Sequence, residues 1–309
     1  MDKLDKNAAW KRRDFIKTTF TATAFVSLGG LDLFAFPSLE KTIKTVTLNN
    51  GVKMPILGFG TMDLRDALGE KCVAEAISLG YRLIDTAFIY SNEEAVGKGI
   101  KNSGIKREEL FVTSKLWVDD MGYEKAKAAF YTTLNKLGLD YLDLYLIHRP
   151  RGDVKGSWKA MEELYNEGKI KAIGVSNFDN KQLDDLIANS KIKPAINQIE
   201  THAFFQEEKA QESLNKYGIQ MEAWAPFAEG RNSLFVDKNL SLIGEKYNKT
   251  NAQVSLRWLY QRGIIAIPRT SKKEHMIENL QIFDFELTKE DMKAISKLDL
   301  NKTQFPEWT

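Results

Sequence analysis

From residue 44 onward the chain repeats one pattern, a short and almost continuously apolar run followed by a longer stretch of helical periodicity. The apolar runs are ILGFGT (56–61), RLIDTA (82–87), LFVTSKL (110–116), LDLYLIH (142–148), KAIGVSN (171–177), AINQIE (195–200), QMEAWAP (220–226) and IIAIP (264–268). Strands without polar alternation are buried on both faces, which is the condition of a parallel sheet. Helical patterns such as MGYEKAKAAFYTTLNKLGL and SWKAMEELYNEGK lie between them. Eight such units suit a closed (β/α)8 TIM barrel, an α/β fold, better than two doubly wound halves. Ahead of the first run, TVTLNNGVKMP predicts an N-terminal β-hairpin around Asn50-Gly51.

The first forty residues follow a different pattern. KRRDFIK (11–17) carries Arg12 and Arg13, and an apolar stretch runs from Thr18 to Phe36. A charged region followed by an apolar one is the layout of an export signal. It resembles the twin-arginine signal, which sends folded proteins across the bacterial inner membrane. Gly29, Gly30 and Asp32 interrupt the stretch, which argues against a stable membrane-spanning helix. The expected organisation is a signal segment over 1–40 and a barrel over 41–309. The protein is then exported or periplasmic, with the export machinery as a partner. The alternative is a cytoplasmic protein with a chance arginine pair.

Composition excludes several classes. A formal net charge of +2 gives no electrostatic case for a nucleic-acid partner. The one cysteine, Cys72, cannot form an intrachain disulfide, and one thiol with three histidines is too little for a structural zinc site. Cys72 lies in a helical run and reads as a small buried hydrophobe. No metal is expected, and the chain is expected to be a monomer.

In a barrel of this kind active sites sit where the strands end. The polar residues at those ends are Asp85, Lys115, His148, Ser176 with Asn177, Gln198, Glu200, Trp224 and Arg269; Tyr90 follows in the loop after Asp85. A tyrosine hydroxyl, with a pKa of about 10, exchanges protons poorly at neutral pH. A cation beside it favours phenolate, and Lys115 can supply one. Asp85 would hold the ammonium charged in a low-dielectric pocket, and His148 would orient a carbonyl oxygen. Such a set protonates a carbonyl oxygen while a nucleophile reaches its carbon. With no serine elbow and no metal-binding carboxylate cluster, the economical nucleophile is a hydride from a nicotinamide cofactor.

The chain from about 44 to 299 resembles the aldo-keto reductase family, close to bacterial members related to 2,5-diketogluconate reductases. GFGT, RLIDTAFIYSNEEAVGKGI, FVTSKLW, LYLIHRP, IGVSNF, NQIE and IPRTSKKEHMIENL stand in family order with near family spacing. The resemblance implies a catalytic tetrad of Asp85, Tyr90, Lys115 and His148, with Tyr90 as general acid. It implies that Ser176, Asn177 and Gln198 hold the nicotinamide carboxamide and that the ring stacks on Trp224, where many members have tyrosine. Thr61, Ala225 and Phe227 join the expected cofactor contacts. The pyrophosphate is expected under PFAEGR (226–231). Arg269 and Thr270 are expected at a 2′-phosphate, with Glu278 and Asn279 at the adenine. His275 stands where the family often has a second arginine, which implies a softened preference for NADPH over NADH. Phe88 and Trp117, beside His148, are expected to line the substrate wall. Arg149 is read as an exposed rim charge rather than an anchor for carboxylated substrates. The implied activity is reduction of small aldehydes, ketoaldehydes or keto sugars. The alternatives are a regulatory cofactor-binding barrel and, with weaker support, a metal-dependent hydrolase.

Overall fold

The computed structural model describes residues 44–308. The expected signal segment, including KRRDFIK, lies outside the described residues. The chain opens with an antiparallel hairpin of β1 (Thr45–Thr47) and β2 (Lys53–Pro55). Eight parallel strands follow: β3 (Phe59–Gly60), β4 (Leu83–Asp85), β5 (Phe111–Leu116), β6 (Leu142–Ile147), β7 (Ile170–Ser176), β8 (Ile196–Glu200), β9 (Gln220–Trp224) and β10 (Ile265–Ala266). Each pairs with its neighbours in chain order.

The ring closes between its first and last members. Leu57 bridges Ala266 in parallel. The Gly58 amide donates to the Ala266 carbonyl at 2.8 Å, and the Gly60 amide to the Pro268 carbonyl at 3.0 Å. The glycines of GFGT serve this seam. A β-carbon on Gly60 would stand 2.7 Å from the Ile267 carbonyl oxygen, and one on Gly58 2.5 Å from Leu83. Only glycine permits so close a backbone approach.

Helices α1 (Asp66–Ser78), α2 (Glu93–Ser103), α3 (Tyr123–Leu137), α4 (Val154–Asn166), α5 (Asn180–Ala188) and α6 (Glu208–Tyr217) follow β3 to β8 in turn. Two helices, α7 (Lys238–Tyr247) and α8 (Asn251–Gln261), follow β9, and α9 (Lys273–Leu280) and α10 (Lys289–Ser296) follow β10. Among the described residues, no helix is long and apolar enough to cross a membrane.

Side chains alternate across a strand, so every second residue faces the barrel axis. Leu83, Leu144, Leu146, Ala172, Ile196 and Ile265 belong to one buried cluster, together with Leu48, Met54 and Ile56 from the hairpin. The hairpin therefore closes the barrel floor. Asn49 and Asn50 fix it there, donating to the carbonyls of Pro194 at 2.8 Å and Lys171 at 2.9 Å, next to the start of β8 and at the start of β7. Two residues further along β4 and β8, the same alternation presents Asp85 and Gln198. Polar groups thus collect at the opposite, open end.

Candidate active site

Asp85, Lys115 and Tyr90 meet at the C-terminal end of the barrel. The Lys115 ammonium donates to Asp85 Oδ1 at 2.5 Å, to the Thr86 carbonyl at 2.9 Å and to the Tyr90 hydroxyl at 3.4 Å. Lys115 is fully buried and Asp85 nearly so. Tyr90 ends a single 3-10 turn, Phe88–Tyr90, which Ser91 closes at φ 53°. The next residue holds that loop down. Asn92 donates to the carbonyls of Thr61 at 2.7 Å and Leu64 at 3.0 Å, and it accepts from the Thr86 hydroxyl at 2.7 Å. Glu93 accepts from the Ser114 hydroxyl at 2.7 Å.

The charges in this cluster are set by burial and by each other. Burial alone would lower the pKa of Lys115, but the Asp85 and Tyr90 charges outweigh it and hold the ammonium above its ordinary value. Tyr90 departs from the sequence expectation. Lys115 does pull its pKa down, but burial raises it by more, and Asp85 adds to the rise. The hydroxyl therefore keeps its proton at neutral pH. Burial, then the Lys115 and Arg149 charges, hold His148 well below the ordinary histidine value, so its ring is neutral. His148 Nδ1 is sealed from solvent without a partner, which leaves Nε2 as the nitrogen open to the cleft. Its ring meets Trp117 edge-on at 5.2 Å and Tyr90 at 5.9 Å.

One cleft of about 420 Å³ runs from His148 and Arg149 past Tyr90, Ser176, Asn177, Gln198 and Trp224 to Met62, Asp63 and Arg269. The Trp224 indole N–H donates to Asn177 Oδ1 at 2.9 Å. Asn177, at φ 62°, donates in turn to Ser176 Oγ and to the His148 carbonyl. Gln198 uses its N–H groups on Asp85 at 2.9 Å and Glu222 at 3.1 Å, so its Oε1 stays available as an acceptor. Thr61 lines the cleft and donates its hydroxyl to the Asp85 carbonyl at 2.9 Å. Ala225, Pro226, Phe227 and Glu229 form its far wall in a loop with several left-handed residues: Ala225 at φ 46°, Ala228 at 49° and Glu229 at 51°. Arg269 is exposed and donates through Nε to the Met62 carbonyl, leaving its terminal nitrogens for an anion. An amide acceptor, a half-buried indole and a free guanidinium along one cleft are a donor set that fits a nicotinamide dinucleotide.

Several expected contacts sit elsewhere. Thr270, His275, Glu278 and Asn279 continue beyond Arg269 onto α9, outside the lined volume. Thr270 is 8 % exposed and accepts from the Lys272 amide, His275 is exposed, Glu278 takes the Thr250 hydroxyl, and Asn279 is buried. Phe88 does not line the cleft; its ring lies 4.3 Å under the Lys136 ammonium. Arg149 is 9 % exposed and lines the cleft, so it is not a rim charge. Glu200, at a strand end, binds the C-terminal segment instead, accepting from the Thr303 hydroxyl and the Gln304 amide. That segment carries Trp308 into the cleft wall.

Sequence reasoning missed Glu222. It is fully buried, and burial, followed by the Asp85 charge, raises its carboxyl to about 8. The signal was present as a lone acid inside the apolar run QMEAWAP. Cys72 is buried, as expected. Among the described residues, no group of three or more histidine, cysteine or acidic side chains could hold a metal ion.

The family model "Aldo/keto reductase family" matches residues 56–300. A glyoxal reductase of Bacillus subtilis is 48 % identical over 271 residues, covering 87 % of this chain and 96 % of its own. A methylglyoxal reductase of Escherichia coli is 40 % identical over 265 residues, covering 85 % and 96 %. Among solved structures, an aldo/keto reductase from Brucella melitensis superposes with TM-score 0.81 at 45 % identity, over 84 % of this chain and all of its own. A Bombyx mori aldo-keto reductase in complex with NADP gives TM-score 0.79 at 36 % identity, over 86 % and 96 %.

Proposed function

The chain belongs to the aldo/keto reductase family and is an NAD(P)H-dependent oxidoreductase acting on carbonyl compounds, and on that premise we propose that it reduces small aldehydes and ketoaldehydes with NADPH, Tyr90 giving the proton. The observation that carries this reading is the Tyr90 hydroxyl, 3.4 Å from an ammonium that Asp85 fixes at 2.5 Å. When bound, the nicotinamide supplies hydride to the carbonyl carbon. Tyr90 gives its proton to the carbonyl oxygen, and the Lys115 charge stabilises the phenolate left behind. Neutral His148 donates through Nε2 to the same oxygen and orients it. Ser176, Asn177 and the free Oε1 of Gln198 hold the carboxamide, with Trp224 under the ring. Arg269 binds the 2′-phosphate, which favours NADPH over NADH. Thr270, His275, Glu278 and Asn279 serve the adenosine end.

Similarity to a glyoxal reductase and a methylglyoxal reductase supports glyoxal and methylglyoxal as first substrates. The test follows NADPH absorbance as methylglyoxal is added to the purified protein. Turnover with a preference for NADPH over NADH is expected, and no oxidation of either cofactor would overturn the reading. Export through the residue 1–40 segment is a further part of the proposal and rests on the arginine pair and the apolar stretch behind it.

A further inference from the structure

The substrate end of the cleft contains a cation that pairs with no carboxylate among the described residues. Arg149 follows His148 directly, is 9 % exposed and lines the same cleft as Tyr90 and Trp308. Among the described residues its guanidinium makes one hydrogen bond, to the Trp308 carbonyl, and lies 5.3 Å from the Trp308 ring. No carboxylate of the described residues pairs with it. Arg151 repels it, and the Tyr90 hydroxyl, uncharged at neutral pH, lies near it. Of the cleft's three acids, Asp85 is paired with Lys115, while Asp63 and Glu229 are grouped with Arg269: both Arg269 and Asp63 act electrostatically on Glu229. A guanidinium carries five N–H donors, and a buried one without a counter-ion is costly unless a ligand supplies the charge.

Resting on the carbonyl-reductase reading, we propose that Arg149 is a specificity-determining residue that selects aldehydes bearing a carboxylate. The carboxylate takes the free N–H groups of Arg149 while the aldehyde oxygen reaches Tyr90 and His148. A bidentate guanidinium–carboxylate pair in a partly closed cleft is strong enough to dominate selection among small substrates. The Trp308 carbonyl and ring hold the guanidinium in place for it.

Succinic semialdehyde and butanal make the comparison, since both have four carbons and differ in a carboxylate against a methyl group. The intact protein with NADPH should show a higher kcat/KM for succinic semialdehyde, and salt should weaken that preference. In Arg149→Met the ratio of the two kcat/KM values should fall by about tenfold to a hundredfold, mostly through KM for the acid. Arg149→Lys should restore part of it. Calorimetric titration with 4-hydroxybutyrate, the alcohol product, should show the same loss of binding without needing turnover. If Arg149→Met weakens both aldehydes equally, Arg149 only supports Trp308 and the proposal fails. A wild-type preference for butanal would also overturn it. Absence of turnover with either aldehyde and with methylglyoxal would instead count against the reductase reading itself.

Discussion

In the proposed reaction Tyr90 would give up its proton in a field set by its own burial, Lys115 and Asp85. Removing only the hydroxyl isolates its role. In Tyr90→Phe the kcat for methylglyoxal should fall by a factor on the order of 10² to 10⁴, with NADPH affinity by fluorescence titration nearly unchanged. Near-normal turnover would remove Tyr90 from the mechanism. At the other end of the cleft, Arg269→Ala should raise KM for NADPH far more than for NADH, because only NADPH carries the 2′-phosphate. Equal losses would make Arg269 a purely structural partner of Met62. Glu222 gives a pH signature. Its folded pKa, about 8, lies above its unfolded value. Its contribution to stability is fully present at acid pH, below the unfolded value, and is lost as pH rises through about 8. His148 acts oppositely, because its pKa is lowered: its penalty applies below about pH 6.5 and is gone above it. Between about pH 7 and 8 the Glu222 loss therefore stands clear of His148. Glu222→Gln should flatten the decline of Tm over that window, and an unchanged slope would mean that Glu222 is already ionised at pH 7.

At the scale of elements, the site depends on short connections more than on strands. The loop after β4 is held by Asn92, whose side chain ties Thr61, Leu64 and Thr86 together. Asn92→Ala removes its bonds to the Thr86 hydroxyl and the Leu64 carbonyl, while the Thr61 carbonyl keeps the Leu64 amide, and should cost about 2–3 kcal/mol in urea unfolding, with the m-value unchanged. Because Tyr90 sits two residues away, kcat should fall as well. The hairpin works at the opposite end, where Leu48 and Met54 close the barrel floor. It contributes stability without touching the chemistry. The loop after β9 belongs to both the cleft wall and the tail: Arg231 donates to the Gln304 carbonyl and pairs with Glu307, while Glu229 lines the cleft.

On the scale of the whole molecule, the barrel is closed by its own first and last strands and its floor by the hairpin. Every element that closes it lies at residue 45 or beyond. Deleting residues 2–40 should leave Tm and kcat with methylglyoxal unchanged. In the native host, Arg12→Lys with Arg13→Lys should retain the protein in the cytoplasm with full activity. Fractionation that finds the unaltered protein wholly cytoplasmic would sink the export proposal and leave the enzyme intact. A folded, cofactor-binding barrel is compatible with a route that carries folded proteins.

The barrel, its hairpin and the placement of Asp85, Lys115 and His148 at strand ends, with Tyr90 in the loop after β4, were legible in the sequence. Those features are local: an apolar run, a turn pair and a polar residue at a strand end can each be read from a few neighbouring letters. The tertiary structure decided everything that depends on what arrives from across the barrel. Glu222 meets Asp85 through Gln198, residues far apart in the chain, and its pKa is raised by burial first and then by the Asp85 charge, both of which only the assembled barrel supplies. Arg149 looks like a surface charge until the C-terminal segment covers it, 159 residues away. Glu200 stands at a strand end like its neighbours, yet Thr303 and Gln304 claim it. Phe88 turns toward Lys136, a choice set by packing on α3 that no local pattern encodes. Periodicity fixes which face a residue occupies, whereas burial and charge depend on partners that only folding brings within reach.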